Sequence, residues 1–149
     1  MTLTPKEASI IKELRAQEQL CVEKYTRYSN EACDGALKNL FSQLGRNEAK
    51  HIQTLDQIAA GTVPQMGGGG ETVTVPTTPS TCPPQSKKQD AFLCGDALSM
   101  EKHVSGEYDT FIFEFADTGV RNVLNHIQKE EQQHGEYIWK YMSVNGMYN

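Results

Sequence analysis

Four stretches of the chain place apolar side chains at alternating intervals of three and four residues, and this spacing predicts four amphipathic helices. We expect these helices over about residues 5-32, 34-60, 87-115 and 118-143. Thr4, Pro5 and Glu7 form a typical helix start, with a capping hydroxyl, a proline at the first helical position and a glutamate three residues after the cap. The pattern therefore predicts an all-α chain.

Short polar residues and a glycine mark the other helix ends. Asp34 and Asp117 are expected to cap the second and fourth helices, and Gly61 is expected to end the second. Ser86 and Gln89 have the spacing of a capping box for the third helix. Because only a few residues join the first helix to the second, and the third to the fourth, each pair is expected to form an antiparallel hairpin.

Residues 61-86 separate the two predicted hairpins and lack a helical pattern. They contain four consecutive glycines, Gly67 to Gly70, and most of the prolines of the chain. A helix of about 27 residues spans roughly 40 Å, and about 24 extended residues cover that distance. We therefore expect a single domain over residues 1-149, a four-helix bundle made of two hairpins joined by a long crossover loop. The alternative is that this segment is a tolerated disordered insertion.

Acidic and histidine side chains interrupt each apolar stripe near its middle. The interrupting residues are Glu18 in the first stripe, Glu48 and His51 in the second, Glu101 in the third, and Glu131 and His134 in the fourth. The second half repeats the first at an offset of 83 residues without a gap, and in each half a lone Glu precedes a Glu-x-x-His pair by 30 residues. All six residues are thus predicted to face the inside of the bundle.

Burial of four carboxylates requires compensating positive charge, because an isolated buried carboxylate is very costly. The predicted inner stripes carry no Lys or Arg, whereas two divalent cations would balance four carboxylates. Mixed oxygen and imidazole ligation suits iron or manganese, with zinc as a further option, and the histidines disfavour calcium and magnesium. One Glu from each of two helices and a Glu-x-x-His pair from each of the others is the ligand set of di-iron and di-manganese bundles. The alternatives are solvated side chains, or a site that keeps its ligands without redox chemistry.

Tyr25 and Tyr108 also correspond in the repeat, each seven residues after its lone glutamate. A buried phenol there could donate a hydrogen bond to a ligand carboxylate and fix its orientation. The alternative is that both are ordinary core tyrosines. His103 and His126 lie off the inner stripes and are expected at the surface.

Composition and charge exclude several classes of protein. The formal net charge is −5, and no basic cluster predicts nucleic-acid binding. No apolar run is long enough for a membrane span, and the first residues lack the apolar stretch of a secretory signal, so a cytoplasmic location is expected. The cysteines (Cys21, Cys33, Cys82 and Cys94) lack a Cys-x-x-Cys spacing. We expect reduced thiols, with Cys21 and Cys94 in the core.

With these residues assigned, the chain resembles the ferritin-like superfamily, especially the di-iron bundles of the rubrerythrin and bacterioferritin type. Besides the six candidate ligands, the segments Tyr25-Thr26-Arg27-Tyr28 and Asn47-Glu48-Ala49-Lys50-His51 are similar to the first hairpin of rubrerythrin. The resemblance implies two metal ions, with iron first, and an oxidoreductase acting on peroxide or oxygen. Without a rubredoxin-like cysteine module, a peroxidase would need an external electron donor, whereas a manganese pair with catalase-like turnover would need none. The resemblance also implies a homodimer.

A second resemblance leads to a different function. The part from Glu101-Lys102 through Tyr108 to Glu130-Glu131, with the tail Gly146-Met147-Tyr148-Asn149, is similar to the Coat F family of spore coat proteins. It implies a structural coat protein whose metal site is stabilising or vestigial, and a location in the spore coat. The complete set of six ligands favours a working metal site over a vestigial one.

Overall fold

The computed structural model describes residues 1–66 and 72–148, and in these ranges the chain forms four α-helices and no strand. The helices are α1 (Pro5–Glu31), α2 (Gly35–Ala59), α3 (Pro84–Ile112) and α4 (Thr118–Val144). The predicted all-α class is therefore confirmed. The glycine run of the crossover, Gly67 to Gly70, lies outside the described residues.

Three of the predicted helix starts are confirmed by their hydrogen bonds. Thr4 and Glu7 form the capping box of α1, because the Glu7 amide donates to Thr4 Oγ1 (3.1 Å) and the Thr4 amide donates to Glu7 Oε2 (2.8 Å). Asp34 accepts a hydrogen bond from the amide of Ala36 at the start of α2, and Asp117 accepts one from the amide of Val120 at the start of α4. Each acceptor satisfies a helix amide that has no partner within the helix.

The predicted start of α3 is wrong. The helix begins at Pro84, three residues earlier than expected, and no side chain caps it, so Ser86 and Gln89 do not form a capping box. Pro84 explains the early start, because its fixed φ suits the first helical turn and it has no amide hydrogen to satisfy. The C-terminal end also differs, since α3 stops at Ile112, although Phe115 beyond it is still buried as predicted. Gly61 has a φ of 89° and ends α2 as predicted.

The helices pack as two hairpins around one core. α1 packs mainly on α2 and α3 mainly on α4, with smaller contacts between α1 and α3 and between α2 and α4. Buried apolar side chains from all four helices line the interior, among them Leu14, Leu37, Phe41, Leu44, Leu55, Ala97, Leu124, Ile127 and Ile138. No helix in the described ranges combines the length and apolarity that a membrane crossing requires.

Buried or half-buried acids join the end of one hairpin to the turn of the other. Asp90 on α3 accepts hydrogen bonds from the amides of Cys33 (2.9 Å) and Asp34 (3.1 Å) in the α1–α2 turn. Glu7 on α1 accepts one from the amide of Ala116 in the α3–α4 turn (3.1 Å). Glu7 and Asp90 are 83 residues apart, and so are Cys33 and Ala116. The sequence repeat is therefore present in the contacts between the hairpins.

The cysteines are correctly predicted in the core and wrongly predicted at the surface. Cys21 and Cys94 are free and buried, as expected. Cys33 and Cys82, however, form a disulfide with a Cα–Cα distance of 6.5 Å, although 49 residues separate them in sequence. The crossover returns to the α1–α2 turn just before α3 begins, and this return brings the two thiols together. The disulfide therefore fastens the end of the crossover to the first hairpin.

Candidate metal centre

The six residues that interrupt the apolar stripes meet in the middle of the bundle. Each is buried, with an exposed fraction between 0% and 2%. The periodicity of each helix accounts for this, because the same stripe that carries Leu14 and Leu44 inward also carries the acids and histidines. The six are Glu18 from α1, Glu48 and His51 from α2, Glu101 from α3, and Glu131 and His134 from α4.

The six side chains form two overlapping groups. In each group, one ligand atom per residue lies within 4.8 Å of the others. The first group is Glu18, Glu48, His51 and Glu131, and the second is Glu48, Glu101, Glu131 and His134. Glu48 and Glu131 belong to both groups, whereas each lone glutamate and each histidine belongs to one. This is the arrangement needed to hold two ions side by side with two shared carboxylates.

Both histidines direct Nδ1 towards the carboxylates. His51 Nδ1 lies 2.9 Å from Glu131 Oε1 and 3.2 Å from Glu48 Oε2. His134 Nδ1 lies 2.7 Å from Glu48 Oε1 and 3.3 Å from Glu101 Oε1. The two rings stack with centroids 5.9 Å apart. Each imidazole therefore presents one nitrogen to the shared centre and leaves Nε2 for other partners.

Tyr25 and Tyr108 hold the lone glutamates of the opposite hairpin. Tyr108 on α3 donates a hydrogen bond to Glu18 Oε1 on α1 (2.6 Å), and Tyr25 on α1 donates one to Glu101 Oε1 on α3. Burial, together with the nearby carboxylates, raises the pKa of both phenols well above the usual value of 10, so both remain proton donors. Each bond fixes one carboxylate oxygen and leaves the other free.

Several carboxylate oxygens in this buried cluster have no hydrogen-bond partner among the described residues. They are Glu18 Oε2, Glu101 Oε2 and both oxygens of Glu131. His51 Nδ1 is close to Glu131 Oε1, but the pair lacks hydrogen-bond geometry. Unpaired buried carboxylate oxygens are costly, whereas a cation placed among them would satisfy all of them. The donor set therefore fits metal ions.

In the absence of ions, protons take over part of the charge balance. Burial raises the pKa of Glu48 and of Glu131 well above 4.5, and the neighbouring carboxylates raise both further. Burial lowers the pKa of His51, but its carboxylate partners Glu130 and Glu131 outweigh this effect, so the net pKa is well above 6.5. The pKa of His134 is raised in the same way, chiefly by Glu101.

The lone glutamates shift in the opposite direction. Burial raises the pKa of Glu18, but hydrogen bonds with Glu48 and His51 outweigh it and bring the pKa down to about 2. The charge of His134 likewise lowers the pKa of Glu101 against the effect of burial. The ion-free centre thus holds two carboxylates opposite two imidazolium groups, with Glu48 and Glu131 protonated. Bound cations would displace these protons.

Glu130 is a functional candidate that the sequence analysis missed. Its Oε1 lies 3.4 Å from Nε2 of His51 and 3.0 Å from Nε2 of His126. It therefore contacts the outer nitrogen of a candidate ligand, where a carboxylate fixes the tautomer and orientation of the ring. The equivalent position in the first half is Asn47. The six inner residues follow the repeat, but their surroundings do not, and the acidic neighbour of Glu131 was the available signal.

A groove of about 500 Å³ between α3 and α4 reaches the centre from the surface. We call it the α3–α4 groove, and it is lined by Glu101 and Glu131 from the centre and by Leu98, Ser105, Gly106 and Gly135, among others. The small side chains of the last three leave space between the helices. The centre is therefore buried but not closed on this face.

Comparison with known proteins relates the second half of the chain to one family. Residues 89–149 match the family model of the Coat F domain. The matched region contains nearly all of α3 and the whole of α4, and with them Glu101, Glu131 and His134. No curated protein and no solved structure matches the chain. The hairpin that supplies half of the candidate ligands is therefore similar to the Coat F domain of spore coat proteins.

Proposed function

We propose that this chain is a spore coat protein whose four-helix bundle binds two divalent metal ions. The match of residues 89–149 to the Coat F domain supports the location in the coat. The metal centre is supported chiefly by one observation, the two overlapping ligand groups that share Glu48 and Glu131. A structural coat protein without metal would have no use for this concentration of buried acid.

The proposed ligands divide naturally between the two ions. Glu18 and His51 would bind one ion, Glu101 and His134 the other, and Glu48 and Glu131 would bind both. Four carboxylates balance two divalent cations, and the mixed oxygen and nitrogen donors suit iron first, with manganese or zinc as alternatives. The same arrangement supports a relationship to ferritin-like proteins of the rubrerythrin and bacterioferritin type.

A second candidate function is an oxidoreductase that acts on peroxide or oxygen. The α3–α4 groove favours it, because structural metal sites are usually closed whereas catalytic sites keep an open side. A redox-active metal pair, when bound, supplies the electrons for reduction of such an oxidant. Tyr25 and Tyr108 would hold Glu101 and Glu18 in place, and the apolar core around them would exclude bulk water. A peroxidase would also require an external electron donor, which a catalase would not.

Elemental analysis of protein purified without chelator tests the first proposal. We expect about two ions per chain, as the two ligand groups require, and loss of both in Glu48→Ala and in Glu131→Ala. Glu136→Ala is a matched control, because Glu136 lies on α4 like Glu131 but is exposed and pairs only with Lys140. A folded wild-type protein that binds no metal from iron, manganese or zinc solutions would contradict the proposal and leave a purely structural coat protein.

Peroxide consumption by the metal-loaded protein separates the two candidate functions. Consumption that needs a reductant would indicate a peroxidase, and consumption without one would indicate a catalase. Either activity should disappear in Glu131→Ala and persist in Glu136→Ala. A loaded wild-type protein without turnover would instead support a metal that only stabilises the bundle.

A further inference from the structure

The α3–α4 groove brings buried, unpartnered ligand atoms into contact with the surface. Glu131 and Glu101 both line it, with exposed fractions of 0% and 2%. Both oxygens of Glu131 and Oε2 of Glu101 lack a hydrogen-bond partner among the described residues. Exposed polar side chains, including Asp109 and Gln132, line its outer part. The groove therefore runs from a polar mouth to acceptors that have nothing to accept from.

The opposite hairpin does not offer the same passage. Residues 83 positions earlier replace Ser105 by Val22, Gly106 by Glu23 and Gly135 by Ile52, so larger side chains stand where the groove has small ones. A smaller groove of about 360 Å³ does lie on α1 and α2, but it is lined by Val22, Gly45 and Ala49, among others, and by none of the six candidate ligands. The repeat conserves the ligands and changes the access to them.

We propose that the α3–α4 groove is the route by which hydrated divalent metal ions enter the centre. Its volume of about 500 Å³ exceeds the share of a water molecule in the liquid, about 30 Å³, many times over, so an ion can enter with its water. Asp109 attracts a cation at the mouth, and the free oxygens of Glu101 and Glu131 replace its water at the inner end. This inference rests on the proposed metal centre, and it assigns Ser105, Gly106 and Gly135 the role of keeping the entrance open.

The test is the rate at which the metal-free protein takes up Co²⁺, followed by its visible absorption after rapid mixing. Gly135→Leu fills the groove without a clash, because a Cβ there would lie 3.6 Å from Leu98 Cδ1, an ordinary contact. Ser105→Leu narrows the groove from the other helix. Gly95→Leu is the matched control, since a Cβ at Gly95 meets no atom within 4 Å and Gly95 does not line the groove. All three variants leave the six ligands intact, and both glycine variants gain similar helix propensity.

We expect Gly135→Leu and Ser105→Leu to slow Co²⁺ uptake by about tenfold or more, a barrier increase of roughly 1.4 kcal/mol. The final Co²⁺ content should equal that of the wild type, because the ligands are unchanged, and this equality also shows that the variants are folded. Gly95→Leu should bind at the wild-type rate. Wild-type rates in both groove variants would overturn the entrance alone. A wild-type protein that never binds Co²⁺ would overturn the metal centre and the entrance with it.

Discussion

Tyr108 on α3 donates a 2.6 Å hydrogen bond to Glu18 on α1, so a tyrosine of the second hairpin orients a candidate ligand of the first. Tyr25 and Glu101 make the reciprocal contact. In the sequence, each tyrosine follows the glutamate of its own helix, yet in the structure it serves the glutamate of the other. The inner surfaces of the two hairpins are therefore interlocked by hydrogen bonds as well as by apolar packing.

Removal of this phenol should weaken the metal-free bundle. In Tyr108→Phe, Glu18 Oε1 loses its donor in a fully buried position, and loss of a buried hydrogen bond to a charged group costs about 1–3 kcal/mol. Urea denaturation should show this decrease in the free energy of unfolding. Tyr137→Phe is a control at a half-buried tyrosine of α4. Equal stabilities of the Tyr108 variant and the wild type would contradict a role for the bond.

Glu130 should affect metal affinity through His51. Its carboxylate faces Nε2 of His51, and partners at this position are typically worth about 10–100-fold in metal affinity. Glu130→Ala should therefore raise the dissociation constant for Zn²⁺ or Co²⁺ by that factor and keep the stoichiometry. Asn47→Ala, at the equivalent position of the repeat, should have a smaller effect. A competition titration with a chromogenic chelator measures both, and equal losses would contradict the specific role of Glu130.

The pH dependence of stability should differ in sign between metal-free and metal-loaded protein. In the metal-free protein, the raised pKa values of Glu48, Glu131, His51 and His134 mean that the folded state holds protons that the unfolded chain releases. Their contribution to stability is complete below the unfolded values of 4.5 and 6.5, and it is lost as the pH rises through the folded values. Metal-free protein should therefore become less stable from pH 6.5 upwards.

Metal binding reverses this trend, because the ions replace the same protons and bind more tightly as the pH rises. Thermal unfolding from mildly acidic to mildly alkaline pH, with and without Zn²⁺, should give a falling midpoint for the metal-free protein and a rising difference between the two. Glu18 and Glu101, whose pKa values are lowered, act in the other direction only below 4.5. A metal-free midpoint that rises through neutral pH would contradict the assigned protonation of the centre.

Reduction of the disulfide should destabilise the fold without opening the centre. Cys33–Cys82 closes a loop across 49 residues of sequence, and bonds of this kind typically contribute about 2–4 kcal/mol. The wild-type unfolding midpoint should therefore fall in dithiothreitol, and the double variant Cys33→Ser, Cys82→Ser should have the lower midpoint in either buffer. The variant should still bind metal, because the bond joins the α1–α2 turn to the crossover and not to the ligands. A reductant effect that persists in the variant would contradict this assignment.

The inner surface of each helix could be predicted from the sequence, but the contacts between helices could not. A period of 3.6 residues assigned Glu18, Glu48 and His51 to buried positions because it depends only on local spacing. The partner of Tyr25 and the pairing of Cys33 with Cys82 depend on how the hairpins and the crossover approach each other. Nothing in a local pattern encodes that approach. The early start of α3 was missed for a smaller reason, since Pro84 was assigned to the loop although proline is common in a first helical turn.

The division of the ligand groups between the hairpins has a consequence for assembly. Each group takes three residues from one hairpin and one shared glutamate from the other, so neither hairpin holds a complete site. A half-length chain with these features would complete its sites only when two copies met, and loading would then depend on protein concentration. Joined by the crossover, the halves are always at hand, and ion capture becomes a property of the single molecule at any dilution.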